Sequence, residues 1–165
     1  MTNKSLNLSK EIEKLASSEL FKYYKEWLRW LISFKNVASN TIESYSYDFK
    51  NFLKFLTRHH CRAQINFRLI ENLRITDYRS WLSHLATKEQ KLSFKSIARS
   101  RASIVSFINF CILFNYLKKS DIFKLSSPKI PKNLPRALSE KQIFNLIKLV
   151  DNEKNNFIKK RNKSL

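Results

Sequence analysis

Not one of the 165 residues is glycine. Glycine enters positive φ without a Cβ clash and lets a backbone approach a phosphate closely. A chain without it lacks what a Walker loop, a dinucleotide-binding turn or a nucleophile elbow requires at fixed positions. Nucleotide-dependent and α/β-hydrolase chemistry are therefore not expected, and no cofactor or small-molecule substrate is implied. Tight hairpins also lose their commonest turn residue. The expected fold class is all-α.

Charge narrows the field next. Lysine and arginine total 32 against 13 acidic residues, a formal charge of +19 and a pI near 10.1. A compact domain carries that self-repulsion badly unless a polyanion neutralises it. Nucleic acid is the commonest such partner; a lysine-rich, solvated surface with no ligand is the ordinary alternative. Hydrophobic residues make up 43% of the chain, including thirteen Phe, six Tyr and three Trp. That suffices for a packed core. Cys61 and Cys111 lie far apart with no CxxC spacing, as in a reducing cytoplasm, and Cys111 reads as a core residue. No signal-peptide pattern opens the chain. The apolar stretch around Phe107–Phe114 is interrupted by Asn109 and is too short to cross a bilayer. A soluble protein with no membrane partner is expected.

Hydrophobic periodicity organises the chain. Residues 1–17 are polar and weakly patterned, and read as a loose arm or a frayed helical turn. A first helix runs from Ser18 to Phe34, with Leu20, Tyr24, Trp27, Leu28, Leu31 and Ile32 at three- and four-residue spacing. Val37–Asn40 breaks the pattern; Ser39 or Asn40 caps the next helix, and Asn40 with Glu43 has capping-box spacing. That second helix reaches Arg58, with Ile42, Tyr45, Phe49, Phe52, Leu53 and Leu56 on one face. A loop at His59–Phe67 and a helical turn at Leu69–Leu73 follow. Thr76 caps a third helix to Leu85, Lys88–Leu92 is a polar link, and Ser93 caps a fourth helix from Phe94 to Leu117. On the fourth, Ile97, Ile104, Ile108 and Cys111 share one face, while Lys95, Arg99, Ser103 and Ser106 fall on the opposite one. Four amphipathic helices on short links predict a compact bundle over 18–119. All three prolines then fall at Pro128, Pro131 and Pro135, predicting an extended basic strap over 120–138. Ser139 caps a last helix, Glu140–Val150, within 139–165. Its apolar face has nothing after it to pack on, so a further domain is expected to cover it.

Taken in order, these residues resemble a known family. After the first helix come Ser39-x-Thr41-Ile42-x-x-Tyr45-x-x-Asp48-Phe49-x-x-Phe52, then Ile75-Thr76-x-x-x-Arg79-x-Trp81-Leu82, then Ser96-Ile97-Ala98-Arg99 on a long apolar helix. Ser127-Pro128-Lys129-x-Pro131-Lys132-x-Leu134-Pro135-x-x-Leu138-Ser139 closes the series. The pattern resembles the core-binding domain of the Xer-type tyrosine recombinases with its interdomain linker, over residues 18 to 165. The resemblance implies an orthogonal four-helix, SAM-like bundle on one face of duplex DNA, in the bacterial cytoplasm at the nucleoid. It also implies that the chemistry belongs to another domain. There the family uses a tyrosine nucleophile, two arginines, a lysine and one or two histidines, the first arginine following a Thr-Gly-Leu string. Arg161-Asn162-Lys163-Ser164-Leu165 resembles the segment just before that string, and the sequence stops there. The chain is therefore expected to be a truncated module that is not an enzyme, with no catalytic residues. His59-His60-Cys61-Arg62 spells the family's His-x-x-Arg in the wrong domain and reads as coincidence. As metal ligands, His59, His60 and Cys61 are expected to diverge, and no fourth ligand is evident.

The resemblance points the second and fourth helices at the duplex. The DNA-binding candidates are Thr41, Ser44 and Lys50 on the second, and Lys95, Arg99, Ser103 and Ser106 on the fourth. Lys129, Lys132 and Arg136 of the strap join them, and Arg99 is the favoured contact. For each the ordinary alternative is a solvated polar group. Arg101 stands where the family usually has an apolar residue, and either snorkels to the rim or reflects drift. The expected partner is duplex DNA, bound mainly through phosphates. Three alternatives stay open: a regulatory fragment docking on an intact recombinase protomer, an RNA-binding helical protein, or a gene remnant with no function.

Overall fold

A computed structural model describes residues 3–87 and 92–126, together with positions 139, 142, 143 and 145. Among the described residues there are six α-helices, one short 3-10 helix and no strand. In chain order these are α1 (Asn3–Leu15), α2 (Ser18–Ser33), α3 (Ser39–His59), α4 (Phe67–Asn72), α5 (Ile75–Thr87) and α6 (Phe94–Leu113), then the 3-10 turn Asp121–Lys124. The all-α expectation holds. α2, α3, α5 and α6 answer to the four long helices expected and α4 to the helical turn expected at Leu69–Leu73, while α1 is additional.

Where a loose arm or a frayed turn is expected, α1 is a helix of 13 residues. Its apolar face is only a few residues wide, yet Leu8 and Ile12, one turn apart, are buried, as is Ala16 just beyond it. Glu11 on the same helix pairs with Lys50 and Lys54 of α3 at 3.3 and 3.6 Å. Hydrogen bonding to Lys50 is the main cause that holds the Glu11 carboxyl below its ordinary pKa. The junction to α2 is pinned to the loop after α3: Ser17 N–H donates to the Ile65 carbonyl, and Ile65 N–H to the Leu15 carbonyl, both at 2.8 Å.

Side-chain caps set three of the six α-helix starts. The Ser17, Asn66 and Ser93 side chains accept from Leu20, Leu69 and Ser96 N–H, opening α2, α4 and α6. α3 departs from expectation, because its N-cap is Ala38 with no side-chain cap, and Ser39 and Asn40 already lie inside the helix. α5 begins at Ile75 instead of being capped by Thr76, and Asp77 Oδ2 accepts from Arg74 N–H at 2.8 Å. α6 stops at Leu113, four residues short of the expected end. The glycine-free chain still needs left-handed residues after its helices, and uses Asn36 (φ 46°), Cys61 (φ 50°) and Asn115 (φ 58°). At α3 and α6 the bonding is of Schellman type. Arg62 N–H reaches the Thr57 carbonyl at 2.9 Å and Tyr116 N–H the Cys111 carbonyl at 2.8 Å.

Aromatic rings knit the helices together. Trp27 of α2 meets Phe107 of α6 edge-on at 5.6 Å, Phe107 meets Phe49 of α3 at 4.8 Å, and Phe52 meets Trp81 of α5 at 4.8 Å. Ile32, one of the apolar series on α2, is instead 58% exposed. Packing continues past residue 119, where the strap was expected to start. Ile122 and Leu125 are buried, and Ser120 Oγ lies 3.1 Å from the Tyr78 hydroxyl. Arg101 is held by the Leu125 carbonyl through Nη2 and does not simply snorkel to water.

The chain divides into two units, 1–130 and 131–165. In the second, Ser139 N–H donates to Gln142 Oε1 at 3.0 Å and Gln142 N–H to Ser139 Oγ at 3.4 Å, a capping box where Ser139 was expected to cap. The expected strap residues 127–138, with Lys129, Lys132 and Arg136, lie outside the described residues, as does most of the last helix.

Candidate nucleic-acid interface

α3 and α6 lie side by side, and polar contacts fix how. Asp48 of α3 is 4% exposed although it sits among the helix's apolar residues. Arg99 Nε donates to its Oδ2 at 2.9 Å, Arg99 Nη2 to its Oδ1 at 3.3 Å, and Ser100 Oγ to Oδ1 at 2.7 Å. Ser103 Oγ donates to the Tyr45 carbonyl at 3.1 Å. Because Asp48 meets residues 99 and 100 while Tyr45 meets 103, the two helices run antiparallel. The third hydroxyl of the series, Ser106 Oγ, accepts from Trp27 Nε1 of α2 at 3.2 Å.

These contacts reassign several candidates. Ser103 is fully buried, so its expected place on an outward polar stripe is overturned. Ser106 is half-buried and engaged by Trp27. Both residues lie on the α6 flank that packs on α3 and α2, where a small hydroxyl lets the helices approach and satisfies a neighbour's polar group. Lys50 is also withdrawn, being 12% exposed, paired with Glu11 and lying 4.9 Å from the Tyr47 ring centroid. Arg99 keeps 48% of its side chain exposed, but two of its nitrogens are committed to Asp48. That pairing is the largest cause that raises its pKa. Thr41 and Ser44 are half-buried on the first turns of α3, and Lys95 is exposed on the first turn of α6. Among the described candidates, those that reach solvent without a partner helix engaging them are Thr41, Ser44, Lys95 and the free half of Arg99.

Asp48 and Ser100 were missed as functional positions. Their signal is nonetheless present in the sequence: a carboxylate at the i+3 spacing from Tyr45 and a serine between Ile97 and Ile104 both interrupt apolar faces, and such groups need buried partners. Among the described residues, positive charge is not gathered into one stripe. Exposed lysines or arginines occur on every helix from α1 to α6. What singles out α6 is that its 20 residues include Lys95, Arg99 and Arg101 and no acid. α6 is also long and apolar enough to cross a membrane by length and composition. Here Ile97, Ile104, Phe107 and Ile108 are buried against the other helices, so it serves as a core helix of the bundle.

Comparison with known proteins agrees with this architecture. Residues 24–113 match the family model described as "Phage integrase, N-terminal SAM-like domain". The chain is 30% identical over 142 residues to tyrosine recombinase XerC of Rickettsia typhi (strain ATCC VR-144 / Wilmington), covering 86% of this chain and 46% of that protein. It is 36% identical over 132 residues to tyrosine recombinase XerD of Staphylococcus aureus (strain Mu50 / ATCC 700699), covering 80% and 42%. The chain thus spans less than half the length of these curated relatives. No solved structure matches.

Proposed function

The chain belongs to the phage integrase N-terminal SAM-like domain family, and from that premise we propose that it is the DNA-binding, core-binding module of a Xer-like site-specific tyrosine recombinase. The observation that carries this reading is likeness to tyrosine recombinases over 80–86% of the chain in a sequence of net charge +19. Cations on the duplex release condensed counterions, which gives affinity without a sequence code. The proposed contacts are Thr41, Ser44 and Lys95, the free half of Arg99, and the strap residues Lys129, Lys132 and Arg136. Buried donors such as Ser103 act behind them by fixing α6 against α3. This chain then acts by binding alone. The family's Thr-Gly-Leu string needs a glycine, and none of these 165 residues supplies one.

The test is fluorescence anisotropy with a labelled duplex at several salt concentrations. Log affinity should fall linearly with log salt, by about 0.9 per phosphate contacted, from a dissociation constant on the order of micromolar. Lys95→Glu should weaken binding across all sequences and flatten the slope by about 1. Salt-independent binding, or structured RNA competing tenfold better than duplex, overturns the reading.

An apolar patch favours a second role. Phe34 after α2 and Phe114 after α6, 78% and 44% exposed, line one surface pocket with Trp30 and Phe110. A surface of that kind suits docking on an intact recombinase protomer. Size-exclusion chromatography with a full-length homologue, for the parent and for Phe34→Ser, would register it as a shift that the variant loses.

A further inference from the structure

Away from the α3–α6 seam, the end of α3 meets the start of α5. His59 is the last residue of α3, His60 is its C-cap, and Asp77 lies in the first turn of α5. Adjacent side chains on a helix are expected to diverge, yet here both rings turn toward one carboxylate. His59 Nε2 lies 3.2 Å from Asp77 Oδ1 and His60 Nε2 lies 3.9 Å from the same oxygen. The three potential ligand atoms of these residues all fall within 4.8 Å of one another.

A hydrogen bond accounts for only part of this. His59 is satisfied at 3.2 Å, but His60 Nε2 is enclosed and has no hydrogen-bond partner. An enclosed imidazole nitrogen without a partner is costly. The carboxylate is already oriented, because its other oxygen accepts from Arg74 N–H at 2.8 Å. His59 is steadied by stacking on Phe55, centroids 5.0 Å apart and planes at 19°. His60 also borders a polar pocket of about 380 Å³ lined with Arg62, Asn66 and Arg68, a route for solvent.

We propose that His59, His60 and Asp77 form a binding site for a divalent transition-metal ion, zinc being the probe of choice, that ties the end of α3 to the start of α5. Tetrahedral bonds of about 2.0–2.1 Å set ligand atoms roughly 3.3 Å apart, close to the His59–Asp77 separation, so His60 has to draw in toward the ion. Two imidazoles and a carboxylate suit zinc, cobalt or nickel over magnesium or calcium. The carbonyl end of α3 favours a cation, while Arg62 beside His60 opposes one. Three protein ligands and a solvent molecule make an exchangeable site, weaker than a closed four-ligand one. The site does not depend on the DNA-binding reading, and its test contains no DNA.

The experiment uses the full chain without a histidine tag. Calorimetric titration with zinc chloride should give one ion per chain, and the thermal midpoint should rise by several degrees once metal exceeds its dissociation constant about a hundredfold. Magnesium should do neither. Asp77→Asn and His60→Gln should each weaken zinc binding at least about tenfold, whereas His84→Gln should leave it unchanged. Cobalt bound to the parent should show visible absorption of mixed nitrogen and oxygen ligation, a readout independent of how any variant folds. No saturable binding, no cobalt spectrum, or equal affinity in Asp77→Asn and His60→Gln would overturn the proposal.

Discussion

The seam between α3 and α6 and the corner between α3 and α5 both bury polar groups, and they treat them in opposite ways. At the seam, the Asp48 carboxylate takes three hydrogen bonds, Ser103 finds a carbonyl and Ser106 receives an indole. At the corner, one imidazole nitrogen is left over. A polar network whose members are all matched rigidifies a fold and has little left to offer a ligand. One with an unmatched donor or acceptor has binding capacity in reserve. Assigning α6 serines to DNA from their polarity alone misses that difference.

Breaking the seam should cost most through Arg99→Ala. Half of that side chain stays in water, so the loss falls below that of a fully buried pair, at about 2–3 kcal/mol. Urea unfolding should show the midpoint moving with an unchanged m-value. Asp48→Asn keeps an acceptor for Ser100 and should cost less, about 1–2 kcal/mol. Ser106→Ala orphans the Trp27 indole and should cost about 1 kcal/mol by the same measurement. If all three are neutral, the seam is not the matched network described. At the corner the sign reverses. Cys61→Gly relieves a left-handed Cβ clash and should stabilise by about 0.5–1 kcal/mol, the gain tempered by glycine's larger entropy of ordering. The smallest effect is a count. Burial pushes the Cys111 thiol up to about 12 and Cys61 is exposed, so a thiol reagent should label one cysteine in the folded protein and two in denaturant.

Sequence patterning reached the long helices well. Tyr24, Trp27, Phe49, Phe52, Ile97, Ile104 and Cys111 are buried where 3.6-residue periodicity puts them. It missed α1 because so few apolar residues carry that helix and polar neighbours dilute them; the packing that makes it helical is supplied by α3, some forty residues on. The start of α3 misled for another reason, since Ser39 and Asn40 have capping chemistry but the backbone turns one residue earlier, at Ala38. The helices α3 and α6 were legible as elements, but not which of their polar residues reach solvent. Polarity marks Ser103 and Lys50 as surface, and only the partners Tyr45 and Glu11, far off in sequence, reveal that they are occupied. The metal-ligand corner was hidden the same way, its third member arriving from α5.

The three α6 hydroxyls also limit how that helix can change length. Ser100, Ser103 and Ser106 each key into a different neighbour, Asp48, Tyr45 and Trp27. One residue inserted after Ser100 would turn everything downstream by about 100°. Both later keys would leave their locks while the Asp48 pair stayed engaged, so the shaft would be cut in two. Insertions and deletions should be admitted only beyond its indexed middle.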